Sequence, residues 1–290
     1  MRARLLLPMV LLACSGAGCV EEELELALQP DGRGTIQLAL RLRADLSKDD
    51  LAKGQEGLER RAAHVLAGWE GVSAWSDVSV APEESRIVIR ARGWFEDPAA
   101  LRGDELQQME LALAEGQLRL RLRLGLKGGK KSEADPRLVQ MQEEEFQKDR
   151  KNRQEMVEGM MREFRLKIAF RLPAEPAGDP APSGFELSGR TATAVMEGPA
   201  VSAAYAQLLD EAARLRVEVQ GGGLSGEAAA AKLAEFEAGI TPSGWRTLSC
   251  PAAAGSDEER ARFERELQAA KEAWATSPWR ERVARARESR

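Results

Sequence analysis

The sequence predicts an α+β fold: a largely antiparallel sheet backed by helices, with a polar helical insertion and a helical C-terminal tail. Three observations predict it. Runs of alternating apolar and polar residues come in pairs joined by short turns, which is the mark of hairpins. These strands outnumber the helices between them, so the crossovers that a parallel sheet requires are missing. The strongly charged stretches with helical spacing lie apart from the strand pairs.

The elements follow in order. In ELELALQPDGRGTIQLALRLR, Leu24, Leu26 and Leu28 alternate with polar residues, Pro30 to Gly34 supply a turn, and Ile36, Leu38, Leu40 and Leu42 alternate again. A helix starts near Ser47, a suitable N-cap, with Leu51, Leu58, Ala62, Val65 and Trp69 on one face. Strand patterns cover Val72–Val80 and Arg86–Trp94, and a second hairpin joins Gln108–Leu113 to Leu118–Leu126 through Glu115-Gly116. A very polar helix follows over about Pro136–Glu163, of the kind that bridges or projects. Strands resume at Arg165–Leu172, and after a loop rich in Pro, Gly and Ala at Phe185–Ser188 and Thr191–Met196. The pattern then gives a helix over Val201–Ala213, a strand over Arg214–Gln220, a helix over Glu227–Ala238 and a charged helix from Ser256 onward. The resulting organisation is a signal segment over 1–18, a sheet domain over 19–220 interrupted by the polar insertion at 128–163, and a helical C-terminal region over 221–290.

The first residues give an address. Met1-Arg2-Ala3-Arg4 is cationic, Leu5 to Leu12 is apolar, small residues follow, and Glu21 to Glu23 is acidic. That is the order of an export signal. The apolar run is far shorter than the roughly 20 residues needed to cross a bilayer, and no later segment is long enough either. A cysteine at the cleavage point resembles the lipobox of bacterial lipoproteins, which implies a palmitate-type acyl anchor in the cell envelope on the extracytoplasmic side. Cys19 follows Gly16-Ala17-Gly18, small where small residues are needed, although Gly16 stands in place of an aliphatic residue. Cys14 follows Leu11-Leu12-Ala13, and cleavage before it leaves a signal of 13 residues. Export signals usually run to about 15–30 residues, which favours Cys19 as the lipidated residue. Ordinary secretion without lipid is the alternative. Cys250 is then a lone thiol if Cys19 is acylated, or a disulfide partner of Cys19 if cleavage falls earlier.

Composition narrows the function classes. Net charge of −5 does not suggest a nucleic-acid binder, and a single histidine removes the usual general base and metal ligand. His64 lies off the apolar stripe of the first helix, without a second His or Cys at metal spacing, so it reads as a solvated side chain. Gly221 to Gly226 matches G-x-G-x-x-G, but the segment before it alternates charged and apolar residues and no strand with a terminal acid follows. It reads as a turn. The acidic clusters Glu83-Glu84 and Glu143–Glu145 lie where exposed positions carry charge in any case. The expectation is therefore a protein that is not an enzyme, with no cofactor and no metal.

The acidic first strand with QPDGRGT at its turn, Leu172-Pro173, and the turn and strand Ser188-Gly189-Arg190-Thr191-Ala192-Thr193 together resemble LppM-like bacterial lipoprotein domains, over roughly residues 19 to 220. The resemblance implies an envelope lipoprotein with a sheet-based domain proposed to contact lipid, and brings no catalytic residues. This chain departs from it in its helical insertion, its long helical C-terminal region, and the lack of an apolar span in that region.

The candidate binding residues come from the strands. Arg41, Arg43, Arg90, Arg92, Arg119, Arg121, Arg123, Arg165 and Lys167 alternate with apolar residues, as do Arg171, Arg214 and Arg216, and acids at matching positions are fewer. If these strands share one sheet, its polar face is cationic and suited to a lipid head group or another anionic envelope ligand. The plainer possibility is that glutamates on neighbouring strands neutralise it. An alternative function is a scaffold that recruits a protein partner through helices projecting at 136–163 and in the tail. Trp274 and Trp279, beside several arginines in that tail, also suit docking on a membrane or a partner helix.

Overall fold

The computed structural model describes residues 19–43, 54–83, 86–103, 107–124, 138–176, 184–239, 246–252 and 256–289. The signal segment with Cys14, the expected helix start at Ser47 and Leu51, and Glu84 lie outside these. Ten strands and six helices occur among the described residues, and the fold is α+β with a largely antiparallel main sheet, as the alternation predicts.

The main sheet has seven strands in the order β3-β4-β2-β1-β7-β9-β8. They are β1 (Cys19–Leu28), β2 (Gly34–Arg43), β3 (Val72–Glu83), β4 (Arg86–Phe95), β7 (Arg165–Arg171), β8 (Glu186–Ser188) and β9 (Thr191–Glu197). A second sheet has the order β10-β6-β5, built from β5 (Gln107–Ala114), β6 (Gln117–Leu124) and β10 (Arg246–Pro251). The β1–β2 turn closes with Gly32 N–H donating to the Gln29 carbonyl at 2.9 Å, and Gly32 takes the left-handed φ of +83° that favours glycine. That turn fixes the register. Leu24 faces Leu38, Leu26 faces Ile36, and Leu38, Leu40 and Leu42 face Ala91, Ile89 and Ile87 on β4. All of these are buried, and each large aliphatic among them contributes about 1.5–3 kcal/mol.

Five of the six helices follow from the expected pattern with changed limits: α1 (Gly54–Ala67), α2 (Glu143–Met161), α3 (Gly198–Gln220), α4 (Gly226–Gly239) and α5 (Asp257–Ala275). The charged C-terminal stretch breaks at Thr276-Ser277-Pro278, where α6 (Pro278–Glu288) starts. Ser256 caps α5 in a capping box with Glu259, its side chain accepting from the Glu259 N–H at 3.1 Å, which contributes about 1 kcal/mol. Two expectations are corrected. The strand read over Arg214–Gln220 is the last part of α3, and Arg246–Pro251 is a strand inside the stretch read as wholly helical.

The chain divides into two compact units. One, within residues 124–165 and 196–244, holds α2, α3 and α4. Its core is Leu138, Val139, Phe146, Ala212, Leu215, Ala229 and Leu233. The polar helix α2 therefore does not project alone: it buries Phe146, Val157 and Met161 and packs along α3. The other unit, within residues 17–123, 166–195 and 245–290, holds both sheets, α1, α5 and α6. In it the C-terminal helices are docked. α6 lies on α1, with Arg282 paired to Glu59 at 2.5 Å and Arg287 donating to the Trp69 carbonyl at 3.2 Å. α5 lies on β3 and β4 through Phe263, Leu267 and Ala270 against Ala74 and Trp94.

Candidate functional site

The polar face of the main sheet can be read off the ladder, because directly opposed residues share a face. Glu21 opposes Arg41, Glu23 opposes Ala39, and Glu25 opposes Gln37. On the other side of β2, Gln37 opposes Arg92, Ala39 opposes Arg90, and Arg43 opposes Arg86. Next out, Ser76 faces Arg92 and Ser79 faces Arg90, with a bulge between them that puts Asp77 at φ +53°. Arg41, Arg90 and Arg92 thus share one face, as the alternation predicts. Lys167 joins them from β7, where it lines the same hollow. Arg165 is the half-buried first residue of β7, and of Arg43 only the backbone register is described.

Arg119, Arg121 and Arg123 are not part of this face. They lie on β6, in the second sheet, where Arg121 pairs with Glu110 at 2.8 Å and Arg119 with Glu115 at 3.3 Å. The premise that all the basic strands share one sheet fails there. It fails again for Arg214 and Arg216, which are helical. Arg214 is held by Glu211 and Glu218 one turn either way, and Arg216 is buried, donating to Glu143 with its guanidinium 5.0 Å from the Phe146 ring centre.

Glutamates neutralise much of the main-sheet face. Arg41 lies 3.2 Å from Glu21 and 3.8 Å from Glu23, Arg86 lies 3.5 Å from Glu21, and Arg90 lies 3.0 Å from Glu83. Arg171 pairs with Glu25. Pairs as exposed as these contribute about 0–1 kcal/mol each, so they settle charge balance more than stability. Two cations stand apart. Arg92 has no carboxylate nearer than Glu266 at 4.0 Å; its guanidinium lies 4.6 Å from the Trp94 ring centre, and its Nε has no acceptor among the described residues. Lys167 has no acid within ion-pair distance among the described residues.

The face is not open along its whole length. Trp94 belongs to it, opposite Thr35 and Ala74, and α5 covers that end. Phe263 meets Trp94 with ring centres 5.6 Å apart, Arg33 reaches Glu264 at 3.3 Å, and Lys271 reaches Glu96 at 2.6 Å. The Lys271 hydrogen bond, followed by one from Ser73, holds the Glu96 carboxyl below its usual range. Beyond α5 the centre of the face stays open as a shallow hollow of about 500 Å³. The small Ala39 and Ala169 form part of its lining, with Glu23, Glu25, Gln37, Asp77, Ser79, Arg90, Arg92 and Lys167. A second hollow of about 450 Å³ near the β1–β2 turn contains Arg171 and Arg190, but Arg171 turns to Glu25, Arg190 donates to the Pro173 carbonyl, and Glu259 caps its own helix.

The remaining candidates resolve as follows. Gly221 to Gly226 joins α3 to α4, so no strand precedes it, which excludes a dinucleotide turn on firmer ground than the sequence alone allowed. His64 is half-buried on α1. No group of three or more metal-ligating side chains occurs among the described residues. Cys250 is a free, buried thiol on β10 opposite Leu118, and burial pushes its pKa up. Trp274 packs beside the α5–β4 cluster, and the Arg282 guanidinium lies 5.5 Å from the Trp279 ring centre. No described helix is long and apolar enough to cross a membrane.

No protein-family model matches the sequence, and no curated protein matches it. Among solved structures, the chain has a weak likeness to the folded domain of the Mycobacterium tuberculosis LppM protein, solved by NMR: TM-score 0.33 and 11% identity, over 63% of this chain and 84% of that one.

Proposed function

We propose that this chain is an exported bacterial envelope lipoprotein, acylated at Cys19, which catalyses no reaction and holds an anionic envelope ligand on the open part of its main-sheet face. The address rests on the cationic, apolar and small-residue order of the first 19 residues. The binding reading rests on one observation: in the central hollow, Arg92 and Lys167 are the cations that neighbouring glutamates leave least neutralised. A guanidinium and an ammonium in that state suit phosphate or carboxylate oxygens, the anions of lipid head groups and envelope polymers.

The address predicts an intact mass. Protein purified from its native host is expected to begin at Cys19 and to carry the added mass of acyl chains. A chain still starting at Met1, or one cut elsewhere without lipid, overturns the anchor.

The site predicts a titration. Glycerol 3-phosphate is expected to bind the full chain saturably at low salt, and an Arg90→Gln/Arg92→Gln variant is expected to lose about tenfold in affinity, the scale of one charged hydrogen bond. Arg119→Gln/Arg121→Gln/Arg123→Gln, on the other sheet, is expected to bind as the parent does. Equal binding by all three proteins, or none by the parent, removes the site.

A further inference from the structure

The hollow on the main-sheet face is a trough that crosses strands. Its lining comes from β3, β4, β2, β1 and β7, which are five consecutive strands. Neighbouring strands lie about 4.8 Å apart. Arg92 on β4 and Lys167 on β7 are three intervals apart, so about 14 Å separates their strands. Side chains standing upright from the sheet at that separation are too far apart to share one phosphate.

The floor between them is not cationic. It presents the exposed amide of Gln37, the methyl group of Ala39, and two glutamates already engaged: Glu25 with Arg171 and Glu23 with Arg41. A third anion placed over β1 would meet these carboxylates. Hydroxyl and amide groups there would instead find an acceptor in each glutamate and both a donor and an acceptor in Gln37. The lining residues include no aromatic or large aliphatic side chain apart from the leucines of the opposite face, so an acyl chain gains little by lying in it.

We infer that the trough takes a doubly anionic oligosaccharide, one anion on Arg90 and Arg92, the other on Lys167, with the sugar hydroxyls over Gln37 and the glutamates. This rests on the binding reading above and names the ligand class for the same site. Two anions on one rigid molecule make the second contact intramolecular, so the pair binds more tightly than either alone.

The test compares two soluble probes on the full chain by calorimetry: glycerol 3-phosphate, with one anion, and an acyl-free glucosamine disaccharide carrying a phosphate on each ring. The bisphosphate is expected to bind at least about tenfold more tightly. In the Lys167→Gln variant the bisphosphate is expected to bind no more tightly than the single phosphate does, whereas Lys167→Arg keeps the advantage. Lys167 is half-buried, so an unchanged melting curve is required to show that the fold is intact. Equal affinity for the two probes, or a bisphosphate advantage that survives Lys167→Gln, overturns the two-anion site and leaves the single-anion reading standing. No binding of either probe overturns both.

Discussion

Replacing Trp94 with alanine is expected to cost about 3–5 kcal/mol of stability and to free α5 from the sheet. Trp94 is only 4% exposed although it belongs to the polar face. Its ring meets Phe263, lies under the Arg92 guanidinium, and presents its indole N–H to the Ser76 hydroxyl at 3.4 Å. The residues opposite it in the ladder, Thr35 and Ala74, are too small to fill the space it would leave. The polar contacts of α5 cannot hold the helix alone: Arg33–Glu264 and Lys271–Glu96 are partly exposed pairs of about 0–1 kcal/mol each. Urea unfolding followed by far-UV circular dichroism measures the loss. Amide exchange locates it, with α5 amides expected to lose protection before those of β1 and β2. A cost under about 1 kcal/mol with α5 protection unchanged would show that the helix is held by something else. Trp94→Phe, which keeps a ring against Phe263, is expected to recover most of the stability.

The hairpins were legible because strand alternation has period two and each strand pair carries its own turn. Leu24, Leu26 and Leu28 lie opposite Leu38, Ile36 and Gly34 without further information. The same alternation misleads at Arg214 to Val219, where charged and apolar residues also alternate. There the helical stripe Leu208, Ala212, Leu215 and Val219 runs on from the preceding segment and packs into the core of its unit. Ion pairs from Arg214 to Glu211 and Glu218, three and four residues away, support it. The contiguity of that stripe was the usable signal. β10 was missed for the opposite reason: six residues, with only Leu248 and Cys250 turned inward, give too short a pattern.

The candidate site was legible by face but not by sheet. Alternation tells which side of a strand a residue occupies and says nothing about which strands are neighbours, so Arg119, Arg121 and Arg123 could not be separated from Arg90 and Arg92. Nor does it give register, on which the neutralisation depends: Glu21 meets Arg41 and Arg86 only because the β1–β2 turn sets that alignment. The cover was hidden too. α5 reads as a charged amphipathic helix, and only its docking on Trp94 reveals that one end of the polar face is apolar and occupied.

Gly198→Ala tests the packing of the other unit and is expected to cost about 3 kcal/mol or more, at or above the top of the range for overpacked cores. Gly198 opens α3, and its N–H donates to the Phe164 carbonyl at 2.9 Å. A Cβ at this position would lie 1.6 Å from the Met161 carbonyl oxygen and 2.7 Å from its carbonyl carbon. Both neighbours are backbone, so no side-chain rotation relieves the overlap. The start of α3 would have to move away from the end of α2, pulling Ala212 and Leu215 out of register with Phe146. Gly222→Ala in the same unit is the control. Gly222 has φ of +72° and nothing within 4 Å of its Cβ position, so alanine there pays only for the left-handed backbone, about 1–2 kcal/mol. The two variants separate close approach from backbone strain in one urea titration. If Gly198→Ala is no worse than Gly222→Ala, then α2 and α3 do not meet as closely as this geometry requires.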